Sequence, residues 1–464
     1  MSSARICNVP NFKVTTLSLT PTPNQVTLSH GDKTLSYFTD DTDSKYLPTF
    51  PFIIKGDGEP FYEANMVVLD KADNTAVVSV ESIRKFAGDL LGYQRFLEER
   101  NLSLFDFPRR KIERPTYLYS IELQHQVREG KSADSANRKI GSVVNFYRAM
   151  KRLNLIPDGE LKNKPFEEFE KTISYTTDIG LHKHKQVTTT DLRIKGGKKA
   201  VDPDYIMDGG KVKPINPAHQ LLLLEDLKRN ASPEFRLISL LSLHTSARVQ
   251  SACTFRLGTI DIDDSGHQAT DKVTIACAGS AGIATKYDKR LVLKLPVWLL
   301  RKLKVYAQSP RYIARRDMSH FGDSDWNYLF LTKQGKPYYI AKYDEEALLQ
   351  FSPIKNPRAA DGVRQQWAAL RERIQCIDPT FDYQFHDLRA TFGMNLLDKL
   401  LYANSQIADP AKRMSDTAIL NHIMHSMGHS NIKTTMQYLN YRRLVEVNSV
   451  AQSDWESKLM ELSQ

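Results

Sequence analysis

Cysteine is scarce in this chain. Cys7, Cys253, Cys277 and Cys376 are the four among 464 residues, and no two have the close spacing of a zinc-binding pair. A disulfide framework or a Cys-based zinc site is therefore not expected, and a reducing compartment fits. Long apolar runs are also missing. The longest, Leu221–Leu224 and Leu237–Leu243, are far too short to span a bilayer. The first residues, MSSARICNVPNF, lack the apolar stretch of a secretory signal. There is no internal repeat and no G-x-x-x-x-G-K-[ST] loop to cradle a nucleotide.

What is present is a chain long enough for two to four domains, with 41% hydrophobic and 25% charged residues. Its net charge is +10, an opening to polyanions that by itself chooses no partner. The charge is uneven. Residues 1–75 hold 6 basic and 9 acidic residues, a balance of −3, so the remainder carries +13. Residues 181–213 hold 8 Lys or Arg against 4 Asp or Glu, with His182 and His184 interleaved. Rich in Gly, Thr and Asp, this stretch reads as a loop or linker, either a solvated connector or a basic strap along a phosphate backbone.

Patterning divides the chain further. Residues 1–75 show short alternating runs at Gln25–Ser29 and Met66–Leu69, which predict a small, partly β module. Ser79 is a candidate N-cap for a helix carrying Ile83, Phe86, Leu90, Tyr93 and Leu97. A second amphipathic helix starts near Ser135 with Ile140, Val143, Val144, Tyr147 and Met150. Together they predict a helical domain over 76–157, followed by a basic interdomain linker over 158–215. From Asn216 the pattern is mixed but mostly helical. Ser232-Pro233 opens an apolar helix, Val273–Ala276 and Arg290–Leu295 read as strands, and Gly335–Pro337 breaks the helical text that follows.

Three segments in this last region carry chemistry-bearing residues. Arg248 follows the apolar helix in His244-Thr-Ser-Ala-Arg248, where a buried Arg needs a partner. His386 and Arg389 lie three apart in Phe385-His-Asp-Leu-Arg389. His429 and Tyr438 are separated by nine residues in Met427-Gly-His429-Ser-Asn-Ile-Lys-Thr-Thr-Met-Gln-Tyr438.

These segments resemble the signature boxes of the tyrosine recombinases, the phage-integrase family, which has T-G-x-R, H-x-L-R and L-G-H boxes with a Tyr nine residues after the last His. The stretch Thr285–Pro296 resembles that family's β-hairpin, with Lys286 at the catalytic lysine; Lys289 and Arg290 are neighbouring alternatives. Tyr328–Gly335 resembles the L-F-x-x-x-x-G stretch. The resemblance implies a mainly α fold with a small β-sheet: a helical core-binding domain over 76–157 and a mixed α/β catalytic domain over 216–447, closing as a clamp around DNA. Residues 448–464 resemble a tail that docks on a neighbouring protomer, and residues 1–75 have an uncertain role.

The implied activity is site-specific DNA strand transfer through a 3′-phosphotyrosine, integrating or excising a mobile element. Tyr438 would be the nucleophile, with Tyr441 three residues on as a packing residue. Arg248, Arg389 and His429 would hold the phosphate, Lys286 would protonate the leaving 5′-oxygen, and His386 would assist proton transfer at the tyrosine or hold it in place. Covalent storage of the bond energy requires no ATP, and no metal or other cofactor is expected. Expected partners are double-stranded attachment-site DNA, a homotetramer on synapsed DNA and accessory proteins, with a cytoplasmic, nucleoid-associated location. Lys139, Arg148, Lys151, Arg152, Lys198 and Lys199 are candidate phosphate contacts. Two alternatives remain: a type IB topoisomerase-like enzyme that relaxes DNA, and a non-catalytic DNA-binding regulator.

The chain departs from the family pattern in three places. Ser246 stands where the family has Gly, and Ser251 stands where it has Glu, so a carboxylate partner for Arg248 must come from elsewhere or be absent. Arg389 and His429 are 40 residues apart, and Leu401–Thr417 reads as a loop insertion.

Overall fold

The computed structural model describes residues 3–18, 21–22, 25–30, 33–73, 80–156, 163–176, 182–195, 205–344, 347–348 and 360–463. The chain divides into two compact units, one of residues 1–200 with 352–356, the other of 201–351 with 357–464. Helices dominate, and the sheets are small and antiparallel. No helix among the described residues is long and apolar enough to cross a membrane.

The first unit opens with a three-stranded sheet in the order β1-β3-β2, built from β1 (Arg5–Ser18), β2 (Gln25–His30) and β3 (Lys33–Ile54). The expected alternation at Gln25–Ser29 is strand β2. The run Met66–Leu69 is not a strand; it lies in α1 (Tyr62–Asp73). Val67 and Val68 are both buried, with Ala64 and Ala72 a turn away on either side, and adjacent buried residues suit a helix, not a pleat. The Asn65 amide joins sheet and helix by donating to Ile53 O (2.9 Å) and accepting from Ile53 N (2.8 Å).

Three helices complete this unit: α2 (Val80–Arg100), α3 (Pro115–Arg128) and α4 (Ala133–Arg152). The expected apolar faces of α2 and α4 are buried, and the Tyr93 and Tyr147 hydroxyls meet at 3.0 Å between them. Ser132 caps α4 by accepting from Ser135 N, three residues before the expected start; Ser79 lies outside the described residues. Helix α3 is not apparent in the sequence pattern, because its buried face is Tyr119, Ser120 and Leu123. The strand residues Leu47, Phe50 and Ile53 share one apolar core with these helices.

The stretch read as a loop is more structured than its composition implies. Strands β4 (Glu168–Thr176) and β5 (His182–Thr190) form an antiparallel hairpin, and Leu192 and Ile194 enter the core of the first unit. Farther on, β6 (Ile206–Met207) and β7 (Lys211–Val212) form a second, very short hairpin. The strong charge of these segments masks the few apolar residues that anchor them.

The second unit continues through α5 (Pro217–Arg229), α6 (Pro233–Thr245) and α7 (Val249–Cys253). Ser232 caps α6 with Pro233 at its first position, as expected. Strands β8 (Lys272–Cys277) and β9 (Leu291–Pro296) pair antiparallel, burying Val273, Ile275, Leu293 and Leu295. Then come α8 (Val297–Ala307), α9 (Pro310–Arg316), α10 (Asp361–Gln375), α11 (Asp387–Ser405), α12 (Asp416–Met427) and α13 (Ile432–Ser463).

Two further expectations need correction. Between α9 and α10, residues 317–341 form turns and short bridges with no helix. Buried Tyr328–Leu331 fill the core there in an irregular backbone. The proposed insertion at Leu401–Thr417 is only partly a loop. Its first residues finish α11 and its last begin α12, and the loop between is tied by paired Asn404–Met414 hydrogen bonds of 2.7 and 2.9 Å.

Candidate active site

The second unit brings five of the six expected catalytic side chains to one buried place, each delivered by a terminus or helix whose reason is local. Helix α6 ends at Thr245, and Ser246 takes the left-handed conformation (φ 62°) that glycine adopts freely. This turn aims the Ser246 carbonyl inward and starts α7 at Arg248 as its N-cap. Helix α11 begins just after His386, which puts Arg389 in its first turn. Helix α12 ends at Gly428 (φ 63°), so the chain reverses at His429 and enters α13, which carries Tyr438. Gly393 lets α11 lie against that tyrosine: a Cβ there would come within 2.7 Å of Tyr438 Cε1 and 2.6 Å of Met427 Sδ.

Arg389 is 1% exposed and fully engaged. Its Nη1 donates to Ser246 O (2.8 Å), Nη2 to Met427 O (2.6 Å) and Nε to Asp208 Oδ2 (3.0 Å). The same Asp208 oxygen is 3.1 Å from His429 Nε2 and accepts from the Tyr438 hydroxyl at 3.1 Å. Arg248 Nη2 lies 3.8 Å from Asp208 Oδ1. His386 Nε2 lies 3.3 Å from the Asp208 carbonyl. His429 is oriented from behind by Thr435 Oγ1, 2.9 Å from its Nδ1. The arrangement is therefore centred on one carboxylate.

Sequence reasoning missed Asp208. The signal was the vacancy at Ser251, which implied a carboxylate from elsewhere, but nothing in the local pattern pointed to the β6–β7 turn. Ser251 itself serves the hairpin segment, since its hydroxyl donates to Ala284 O (2.9 Å), at the base of the stretch carrying Lys286.

Electrostatics follow from burial and charge. Burial alone would raise the Asp208 pKa, but the hydrogen bond from His429 and the charges of Arg389, His429 and Arg248 hold it well below the usual carboxylate range. Burial and the nearby Arg389 charge lower Arg248 to about 10, against the pull of Asp208. Burial, then Arg389, lowers the His386 pKa. For Tyr438, burial and the adjacent Asp208 charge push the phenol well up, with Arg389 opposing.

Lys286 stands at the rim. It is exposed, and a Cβ built on Gly209, beside Asp208, would lie 3.9 Å from its amine. Lys289 instead donates to Gly428 O (3.0 Å). Tyr441 packs with the core around α11 to α13, while Tyr438 is fully buried with its hydroxyl in the cluster. The base of the hairpin is secured by buried Arg256, which donates to Gly282 O (2.7 Å), Trp326 O (2.8 Å) and Asp344 Oδ2 (2.5 Å) and lies over the Tyr328 ring. Among the described residues no group of three or more His, Cys, Asp or Glu is arranged to hold a metal ion.

The remaining candidate residues lie in the first unit. Lys139 is half-buried and Lys151 exposed on α4. Arg148 pairs with Glu168 (2.5 Å) and Arg152 with Asp70 (2.5 Å). Lys198 and Lys199 lie outside the described residues.

No protein-family model matches the chain. A search of curated proteins likewise finds no match. Among solved structures, the chain is similar to the XerH site-specific recombinase bound to its difH substrate in a pre-cleavage complex, with a TM-score of 0.44 and 14% identity over 84% of each chain. It is similar to the Tn1549 transposon integrase in complex with circular intermediate DNA, with a TM-score of 0.42 and 12% identity over 80% of this chain and 93% of that one. It is also similar to a lambda integrase dimer bound to a COC′ core site, with a TM-score of 0.41 and 13% identity over 80% of this chain and 94% of that one.

Proposed function

We propose that this chain is a tyrosine-type site-specific DNA recombinase that integrates or excises a mobile element. One observation carries the reading: two arginines, a histidine and a tyrosine hydroxyl, drawn from three separate sequence segments, converge on a single anion. Such a set of donors is suited to a phosphodiester.

In the reaction, Tyr438 Oη attacks the scissile phosphorus and the bond from phosphorus to the 5′-oxygen breaks. The products are a 3′-phosphotyrosine and a free 5′-hydroxyl. The tyrosine proton passes to His386, whose lowered pKa keeps it neutral and able to accept. The leaving oxygen takes a proton from Lys286. Arg248, Arg389 and His429 meet the charge that builds on the non-bridging oxygens, and each guanidinium offers a planar fork of donors matched to two of them. Reversal by an incoming 5′-hydroxyl reseals the strand with no external energy source.

Four protomers on two synapsed sites would exchange strands in pairs, with accessory proteins where the element demands them, in the cytoplasm at the nucleoid. Residues 76–157 would act as the core-binding domain, 158–215 as the interdomain linker, 216–447 as the catalytic domain and 448–464 as a tail for a neighbouring protomer.

The test is covalent capture. A duplex bearing the junction sequence of the element, nicked beside the scissile phosphate, should give an SDS-resistant adduct with wild type and none with Tyr438→Phe. Absence of the wild-type adduct, or an adduct with the phenylalanine variant, overturns the reading.

A further inference from the structure

The β6–β7 turn is where the mechanism and the structure disagree, and the disagreement is informative. Cleavage requires the phosphorus within about 3–3.5 Å of the tyrosine oxygen, with its oxygens on the arginines. That position is taken. Asp208 Oδ2 accepts from Arg389 Nε and the Tyr438 hydroxyl and sits 3.1 Å from His429 Nε2, while Oδ1 faces Arg248. The carboxylate is anionic, has two acceptor oxygens and uses the donors a phosphate would use. A carboxylate that only orients Arg248 would sit behind it and leave the nucleophile's hydroxyl free. Here one oxygen links the nucleophile to an arginine. A phosphate and Asp208 cannot share the pocket, because two anions at hydrogen-bond distance repel and compete for the same protons.

We propose that Asp208 is a built-in stand-in for the scissile phosphate, an autoinhibitory contact that DNA must displace before Tyr438 can attack. The inference rests on the recombinase reading of the same site.

The segment is made for displacement. Each strand of the hairpin is two residues long, and its turn is Asp208-Gly209-Gly210, with Gly209 at φ 70°. Its core anchors are Ile206 and Val212; Met207 between them is half-exposed. Reversible bonds hold it: Met207 N donates to Gln437 Oε1 (2.7 Å), on the tyrosine's own helix, and His386 Nε2 is near the Asp208 carbonyl. The turn thus meets or adjoins all six proposed catalytic residues, Lys286 included. A duplex phosphate brings the same charge with more oxygens and a scaffold of further contacts. Without DNA, the nucleophile stays buried and tied to an anion that it cannot attack.

The test separates this inference from the reading beneath it. Wild type must first form the covalent adduct; if it does not, the recombinase reading fails. Given that adduct, Asp208→Asn should form it faster than wild type in single turnover. Asp208→Asn should also bind inorganic orthovanadate, read by the shift in melting temperature, about tenfold more tightly, a gain of about 1.4 kcal/mol. Hydrogen exchange on the wild-type full chain supplies a measurement that no variant can confound. Amides of residues 205–213 should lose protection when the nicked duplex binds. Slower adduct formation by Asp208→Asn would make Asp208 a positioning residue for Arg248 and sink the inference. Undiminished protection of 205–213 in an adduct-forming complex would do the same.

Discussion

Asp208 shows at the scale of one residue how a buried anion couples structure to pH. Its folded pKa is depressed, because the hydrogen bond from His429 and the charges of Arg389, His429 and Arg248 outweigh the penalty of burial. A depressed carboxylate contributes stability that is present above its unfolded pKa of about 4 and is lost as pH falls toward the folded value. In the free protein, wild type should therefore exceed Asp208→Asn in stability at neutral pH, and the gap should stay constant down to about pH 4 and then narrow. Urea denaturation at several pH values measures this; a gap that widens on acidification would show the carboxylate is not the charge being stabilised. The residue scale also marks the limit of sequence reading. Arg248, His386, Arg389, His429 and Tyr438 were legible because each sits in a short box with its own spacing. Asp208 was not, since its role depends on a contact with Tyr438 across 230 positions. Ser246 lies between these cases: a non-glycine residue holds the left-handed turn that a glycine would suit, at a cost of about 1–2 kcal/mol.

At the scale of elements, two small features hold the candidate active site to its support. The first is the contact of α11 with α13 at Gly393, where any side chain would strike Tyr438 and Met427. Gly393→Ala should overpack this contact, lower stability by about 1–3 kcal/mol and slow adduct formation by shifting Tyr438, the proposed nucleophile. Chemical denaturation and single-turnover capture read the two effects; retention of both would show that the helices separate freely. The second is the Arg256–Asp344 pair beneath the β8–β9 hairpin, with side chains 2% and 3% exposed. Asp344→Ala strands the guanidinium, and loss of about 3–5 kcal/mol is expected in denaturant midpoint. Elements were readable where apolar residues repeat, as in α2, α4 and α6. They were hidden where the buried face is polar, as in α3, or where charge surrounds a few anchors, as at Ile206 and Val212. The turns over 317–341 escaped because Arg256 and Asp344, not a repeating pattern, organise much of that backbone.

For the molecule as a whole, the +10 charge is a quantity that DNA binding would read, and the structure sorts its carriers. Arg148 and Arg152 already face Glu168 and Asp70, so part of their charge is neutralised before any duplex arrives. Such exposed pairs are worth about 0–1 kcal/mol, which lets them open but lowers the net gain from doing so. Lys139 and Lys151 on the same helix have no carboxylate within ion-pair distance among the described residues, and so are the stronger phosphate candidates on α4. Each phosphate contact made by a cation releases counterions and adds about 0.9 to the slope of log affinity against log salt. The double variant Lys139→Ala/Lys151→Ala should therefore bind the duplex more weakly at low salt, with a slope shallower by about 2. Arg148→Ala/Arg152→Ala should change the slope less, because guanidiniums already paired with Glu168 and Asp70 have less free charge to offer a phosphate. Fluorescence anisotropy across a salt series checks both. An unchanged slope in the lysine variant would remove α4 from the proposed DNA-binding surface, leaving the second unit's own cations to account for affinity.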